Sequence, residues 1–212
     1  MNMVLIGPPG VGKGTVGHKI AVLLKIPYVS SGDLLRQAAE GSSKSSQDLK
    51  KFLSTGRLVP EAITNRVVEE RLARQDCSKG YVLDGYPRNI VQLEAFQKYA
   101  KVDLVLCLTA PKNILIERIS GRLTCRKCGA IYHEKFIKPR KPGICDIDGG
   151  ELYKRDDQKP EAIKVRLETY EKETVPIIEY YRQQGMLQEI DASYPIEKAD
   201  GIMQQVHKAI QR

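Results

Sequence analysis

The residues best equipped for chemistry stand near the start of the chain, in Gly7-Pro8-Pro9-Gly10-Val11-Gly12-Lys13-Gly14-Thr15. This run follows a short apolar segment, Met3-Val4-Leu5-Ile6, and opens a helical pattern. Glycines let the backbone turn tightly and aim several N–H groups at one anion, while the following helix presents the positive end of its dipole and Lys13 adds a mobile cation. Such a loop binds phosphate. The spacing Gly7-x4-Gly12-Lys13 fits the phosphate-loop pattern, but Gly14 stands where Ser or Thr normally follows the lysine, and Thr15 is displaced by one. In GTPases and motor-type hydrolases the hydroxyl after the lysine holds magnesium, so the displacement argues against those classes.

A second chemically capable set lies in the middle of the chain. Cys125-x2-Cys128 is followed, after sixteen intervening residues, by Cys145-x2-Asp148. Two paired knuckles at this spacing predict a structural zinc site, because three thiolates and one carboxylate complete a tetrahedron and leave no open position for a substrate. Gly129 beside the first knuckle and Gly149-Gly150 after the second suit backbone that turns sharply around an ion. His133, five residues after Cys128, competes as fourth ligand, although the paired spacing favours Asp148. Cys77 and Cys107 read as a loop thiol and a buried strand residue, and His18 and His207 as packing or surface residues.

A third set is acidic and cationic. Asp84-Gly85-Tyr86-Pro87-Arg88 directly follows the apolar run Tyr81–Leu83, at the kind of strand end where α/β sheets bind ligands. An aspartate there can hold magnesium through water. Ser31-Gly32-Asp33-Leu34-Leu35-Arg36 opens a helix with an arginine one turn in, and Gly56-Arg57-Leu58-Val59-Pro60 closes the same segment. Arg118, Arg122, Arg155 and Arg166 bracket the cysteine-bearing region. Because the guanidinium fork grips phosphate oxygens in pairs and keeps its charge, such a set beside a phosphate loop reads as a clamp rather than as solvated surface.

These residues must be held by a scaffold, and the hydrophobic pattern predicts one. Strand-like runs occur at Val4–Ile6, Tyr28–Val29, Tyr81–Leu83, Leu104–Leu108 and Leu187–Ile190. Between them lie helical patterns over Gly12–Leu24, Glu61–Arg74, Ile90–Tyr99, Pro111–Ser120, Glu161–Gln184 and Pro195–Ile210. That alternation predicts an α/β fold, a parallel sheet covered by helices on both faces. Residues 30–59, polar and rich in Ser and Lys, form a helical insert; residues 122–159, rich in Cys, Gly, Pro, Lys and Asp, have almost no helical period. Both read as excursions from the core that are free to move.

Composition narrows the partners. The chain has 212 residues, 42% of them hydrophobic, enough for one embellished domain or two small ones. A net charge of +8 suits nucleic acid, acidic lipid or a phosphorylated small substrate, but with no Trp and three Phe there is little to build a base-stacking platform for single strands. No apolar run approaches membrane-spanning length, the N-terminus enters a strand rather than a secretory signal, and five cysteines, three of them clustered, fit metal ligation in a reducing compartment. A cytoplasmic location is expected.

Taken together, the phosphate loop from Gly7 to Thr15, Ser31-Gly32-Asp33, Leu58-Val59-Pro60, Asp84-Gly85-Tyr86-Pro87-Arg88 with Gln92, Gly121-Arg122, the Cys125/Cys128/Cys145/Asp148 set and Arg155-Asp156-Asp157 make the chain resemble the adenylate kinases, in their long form with a zinc-bearing lid. The resemblance covers essentially the whole length and implies the P-loop three-layer fold with a five-stranded parallel sheet. It divides the chain into a core (1–29, 60–121 and 160–212), an AMP-binding insert (30–59) and a lid (122–159) that closes over ATP. It implies the reaction MgATP + AMP ⇌ 2 ADP, carried out by a cytoplasmic monomer with structural Zn²⁺ and with no nucleic-acid or membrane partner.

By the same resemblance Gly10, Val11, Gly12, Lys13, Gly14 and Thr15 hold the ATP phosphates. Lys13, Arg88, Arg122, Arg155 and Arg166 surround the phosphoryl group in transfer, and Asp84 is the magnesium-linked acid, supported by Asp33. AMP is expected against Ser31, Arg36, Arg57, Leu58, Val59, Gly85, Tyr86, Pro87, Arg88 and Gln92, with Arg155 and Arg166 at its phosphate. Arg118 is expected to cover the ATP base, with backbone near Ile131, Tyr132 and Tyr194 completing that pocket. The chain departs from the family's usual pattern at Ser31, Tyr86, Arg57, Ala192 and Val16, none of which removes a catalytic charge. A uridylate or cytidylate kinase shares the loop and sheet but usually has a short lid. A zinc-ribbon nucleic-acid binder is the alternative of a different class, and it leaves the phosphate loop unexplained.

Overall fold

The computed structural model describes residues 1–194 and 199–211. Five parallel strands, β1 (Asn2–Ile6), β2 (Tyr28–Ser30), β3 (Tyr81–Asp84), β4 (Leu104–Thr109) and β8 (Leu187–Asp191), form one sheet in the order β2-β3-β1-β4-β8. Side chains of β1 alternate between two cores. Met3 and Leu5 face one with Val16 and Ile20 of α1 (Lys13–Leu24), Leu115 and Ile119 of α6 (Lys112–Ser120), and Ile202 and Val206 of α9 (Ala199–Ile210). Val4 and Ile6 face the other with Val68 of α4 (Glu61–Leu72), Leu93 and Phe96 of α5 (Ile90–Phe96), and Ile177 and Tyr181 of α8 (Val175–Gln183). A strand buried on both faces has to be apolar throughout, which is why these runs stand out in the sequence.

β1 pairs with β3, Leu5 opposite Asp84, and β3 pairs with β2, Ser30 opposite Asp84. The loops leaving β1 and β3 therefore emerge side by side at the carboxyl edge of the sheet. After β2 the chain builds α2 (Ser31–Ala38) and α3 (Lys44–Thr55); Leu35 and Leu49 on these helices form a small separate cluster with Ala39 and Val59, which follow them. Ser30 caps α2 by accepting from the Asp33 N–H, and Ser43 caps α3 in the same way.

Residues 122–159 contain a three-stranded antiparallel sheet, β6-β5-β7, made of β5 (Arg122–Cys125), β6 (Ile131–His133) and β7 (Leu152–Tyr153). The sequence showed only an absence of helix here. The long helical pattern Glu161–Gln184 is in fact α7 (Pro160–Thr169), a π turn over Tyr170–Thr174, and α8. Pro176 supplies the reason: it has no N–H to donate, and its ring crowds the carbonyl four residues back, so the preceding turn widens. Of the predicted Pro195–Ile210 helix, residues 195–198 lie outside the described residues and Ala199–Ile210 is helical. Among the described residues no helix is long and apolar enough to cross a membrane.

Candidate active site

The loop after β1 turns through Gly10 (φ +84°) and Gly12 (φ +101°), conformations that side-chain-bearing residues rarely adopt. A Cβ on Gly10 would also sit 2.6 Å from the Leu115 carbonyl. Lys13 opens α1, and its ammonium folds back over the loop to donate to the carbonyls of Gly7 (2.8 Å) and Pro8 (3.1 Å). Gly10, Gly12, Lys13, Gly14 and Thr15 line the main cleft of the molecule, whereas the Val11 side chain is buried and its carbonyl accepts from Arg118.

Cations gather on the same cleft. Lys13, Arg88, Arg122, Arg155 and Arg166 all line it, together with Asp84 and Asp157. Arg88 is set by its Nε, which donates to the Gly85 carbonyl (2.6 Å), and by its backbone N–H, which donates to Gln92 Oε1 (2.7 Å). Arg155 and Arg166 both reach Asp157, the latter at 2.9 Å. Arg122 stands 3.9 Å from Asp157, and its buried Nε and Nη2 have no hydrogen-bond partner among the described residues.

The electrostatic result is a surplus of desolvated positive charge. The surrounding protein strips water from the Lys13 ammonium and brings it down to about 8; Asp84 opposes that, and Arg88, Arg166 and Arg122 add to it. Burial, reinforced by Arg155 and Arg166, lowers Arg122 to about 9, and burial lowers Arg166 to about 10. Burial pushes the Asp157 carboxyl up, yet Arg166, Arg155 and Arg122 together hold it at about 2. Cations that weaken one another in this way are made for polyanionic ligands, which relieve both the desolvation and the repulsion.

The other expected residues divide by how they meet the cleft. Ser31, Arg36, Arg57, Leu58, Val59 and Gln92 line it, and Ser31 Oγ donates to the Gly85 carbonyl (2.6 Å), tying α2 to the loop after β3. Gly85 and Pro87 line a smaller cavity behind the phosphate loop, whereas the Tyr86 ring lies wholly in the core with its hydroxyl on Asn65 Oδ1 (2.9 Å). Ile131 and Tyr132 line the main cleft, as does Arg118, whose guanidinium is pinned to the carbonyls of Ala192 (2.8 Å) and Tyr194 (2.6 Å). The Tyr194 ring itself is exposed and away from the cleft.

Asp157, His18 and Tyr28 also face the cleft, and none of them was singled out by sequence reasoning. In the sequence Asp157 stands only as the end of Arg155-Asp156-Asp157, and its value as the shared counter-ion of three arginines depends on tertiary neighbours. His18, read as packing or surface, is exposed but its ring lies against Tyr28, tilted by 38° with ring centroids 4.1 Å apart. A polar aromatic opening the short strand-like run Tyr28–Val29 was the available signal for Tyr28.

The cysteine set converges as its spacing predicts. The ligand atoms of Cys125, Cys128, Cys145 and Asp148 all lie within 4.8 Å of one another. Cys128 and Cys145 Sγ are 3.6 Å apart, close to the edge of about 3.8 Å that a tetrahedron of Zn–S bonds requires. Asp148 Oδ1 accepts from the Gly150 N–H (2.9 Å), which chiefly holds this carboxylate at about 2, while its buried Oδ2 has no partner among the described residues. A Cβ on Gly150 would strike Cys125 Sγ at 2.8 Å. This donor set fits a tetrahedral metal ion with thiolate preference. His133 is elsewhere: its Nδ1 accepts from the Lys135 N–H (3.0 Å), and its Nε2 lies 3.3 Å from the Glu117 carbonyl. Tyr132 joins the two regions, since its hydroxyl contacts Cys145 Sγ (3.6 Å) and accepts from the Asp146 N–H (2.7 Å).

The family profile for adenylate kinase matches residues 5–186. The chain belongs to the adenylate kinase family. It is 43% identical to an adenylate kinase of Caldanaerobacter subterraneus subsp. tengcongensis, over 99% of this chain and 96% of that protein. It is 37% identical to one of Archaeoglobus fulgidus over 100% and 99% of the two chains, and 43% identical to one of Methanosarcina mazei over 92% and 93%. Its α/β architecture with five parallel strands agrees with this assignment to the adenylate kinase family.

Proposed function

We propose that the chain transfers the terminal phosphoryl group of MgATP to AMP, giving two ADP, and so balances the adenine nucleotides. The observation that carries the reading is the desolvated cation cluster on the phosphate loop, above all the guanidinium nitrogens of Arg122 that have no hydrogen-bond partner among the described residues. Phosphoryl transfer needs little covalent chemistry from the protein. Two phosphate-bearing reactants must be aligned, and the charge spread over the moving group must be neutralised.

In this reading the loop from Gly10 to Thr15 cradles the ATP phosphates and Lys13 follows the charge onto the transferred group. Arg88, Arg122, Arg155 and Arg166 enclose that group, and Asp84 orders the water around the magnesium that the nucleotide carries. AMP lies against Ser31, Arg36, Arg57 to Val59 and Gly85 to Arg88, with Gln92 at its base. The engaged Oε1 of Gln92 leaves Nε2 as the atom to pair with a base edge. Arg118 borders the ATP base, with Ile131 and Tyr132 beside it and Tyr194 contributing only through the carbonyl that fixes Arg118. Residues 30–59 act as the AMP-binding insert and 122–159 as a lid over ATP, both working against the core of 1–29, 60–121 and 160–212. Cys125, Cys128, Cys145 and Asp148 hold a structural zinc ion, and the enzyme acts as a cytoplasmic monomer.

A coupled assay of ADP formation from ATP and AMP tests the proposal, with UMP and CMP as competing acceptors. Turnover with AMP at least tenfold above either pyrimidine nucleotide supports it; preference for UMP or CMP, or no turnover with purified metal-loaded protein, overturns it.

A further inference from the structure

One short polar contact on the cleft belongs to a residue the reaction scheme does not use. Tyr28 Oη donates to Asp84 Oδ2 at 2.6 Å. The two residues reach each other because β2 and β3 are paired in register, Ser30 opposite Asp84, so a long side chain from Tyr28 can run toward the strand's carboxyl end. The Tyr28 ring is seated by α1. Gly17 offers it a bare backbone, where a Cβ would come within 2.5 Å of Tyr28 Cε2, and the His18 ring packs over it at 4.1 Å. Burial first, then the Asp84 carboxylate, pushes the phenol well above its ordinary range, so the hydroxyl stays a proton donor at any working pH.

The consequence concerns what Asp84 would do without that donor. Lys13 and Arg88 both lie close enough to feel the Asp84 charge. A carboxylate free to rotate beside two desolvated cations turns toward them, and each ion pair so formed uses a charge the phosphates need. A hydroxyl fixed on Oδ2 sets the plane of the carboxylate and leaves Oδ1 for the cleft. We infer that Tyr28 is a positioning residue, with Gly17 and His18 as its seat, which holds Asp84 in the orientation that receives the water shell of the nucleotide's magnesium. The inference rests on the reading of Asp84 as the magnesium-linked acid.

The test compares the wild type with Tyr28→Phe, Gly17→Ala and Asp84→Asn, measuring initial rate against free Mg²⁺ and the Kd of MgATP, of ATP in chelator, and of AMP. Tyr28→Phe should raise the free Mg²⁺ needed for half-maximal rate by about 3–10-fold and weaken MgATP binding, with metal-free ATP and AMP affinities held within about twofold. Gly17→Ala, which displaces the ring while keeping the hydroxyl, should move the Mg²⁺ dependence in the same direction. In the Asp84→Asn background, Tyr28→Phe should add nothing. If Asp84→Asn shifts the Mg²⁺ dependence and Tyr28→Phe does not, the positioning role is overturned while the reading of Asp84 stands. If Asp84→Asn itself shifts nothing, both fall. Equal weakening of MgATP and metal-free ATP by Tyr28→Phe would also overturn the inference, since it would mark a merely structural ring.

Discussion

Arg122 shows most clearly that single residues in this cleft are organised for a ligand rather than for stability. A buried guanidinium with two nitrogens that make no hydrogen bond among the described residues, and only a long 3.9 Å ion pair to Asp157, costs the protein free energy, so removing it should help the empty fold and harm the reaction. Arg122→Ala is therefore expected to keep or raise the melting temperature of the ligand-free protein while turnover falls roughly 10³–10⁵-fold, the range found when arginines leave such transition states. Near-normal turnover in the folded variant would remove Arg122 from the proposed clamp. Lys13 gives a pH test. With its ammonium at about 8 in the free protein, a bound polyphosphate favours the charged form and raises that value. Below pH 8 the lysine is protonated in both states and its contribution to ATP affinity is flat. Above pH 8 binding takes up a proton, and affinity falls by up to about tenfold per pH unit until the bound-state value is passed. Calorimetry in two buffers of different ionisation enthalpy measures the uptake. Because Arg122, at about 9, can contribute at the same pH, the Lys13 share is the part lost in Lys13→Arg, and no such loss contradicts the assignment. Gln92 has two duties, holding the Arg88 N–H and offering a donor to the acceptor base. Gln92→Glu keeps the first and loses the second, so KM for AMP should rise roughly 5–100-fold with ATP affinity unchanged; equal changes in both constants would show that Gln92 does not read the base.

At the scale of elements, what the sequence revealed and what it hid follow from where each element gets its stability. The core strands were legible because a strand buried on both faces must be apolar, as Met3 to Ile6 and Leu104 to Leu108 are. The phosphate loop and the cysteine knuckles were legible because their chemistry fixes spacing along the chain. Strands β5, β6 and β7 were not, because they run only two to four residues and sit on a cluster of Cys125, Tyr132, Cys145 and Leu152, in which two of the four members are metal-ligand candidates. The π turn had a local cause in Pro176 but no periodic signature, and Asp157, His18 and Tyr28 acquired their places from neighbours distant in sequence. With so small an apolar cluster, this subdomain draws stability, under the proposed reading, from ion ligation at Cys125, Cys128, Cys145 and Asp148. Chelation, or Cys145→Ser, should therefore lower the melting temperature of residues 122–159, while activity measured well below that temperature declines only modestly. Elemental analysis should give about one zinc per chain. A metal-free protein with unchanged thermal stability contradicts the structural role, and one that is stable yet inactive points to a catalytic ion.

For the whole molecule the governing fact is an imbalance: eight lysine and arginine side chains and only three carboxylates, Asp33, Asp84 and Asp157, line the cleft where the sheet, the α2–α3 segment and the β5–β7 sheet meet. Such an arrangement holds three regions around a charge deficit that phosphate groups fill, so nucleotide binding should stabilise the entire fold and not only the cleft. A ligand that binds only the native state contributes about 2.7 kcal/mol at one hundred times its Kd. For a chain of this size each kcal/mol moves the melting temperature by about 2–4 °C. ATP or AMP at that excess is thus expected to raise it by about 5–11 °C, as read by scanning calorimetry. Adenosine, which carries the base without the phosphates, should give a much smaller shift at the same concentration, and the ATP shift should shrink as salt rises because exposed parts of the cation field are screened. If adenosine stabilised the protein as well as ATP does, the cleft would be reading the base rather than the phosphates, and the cation cluster would lose its place at the centre of the mechanism.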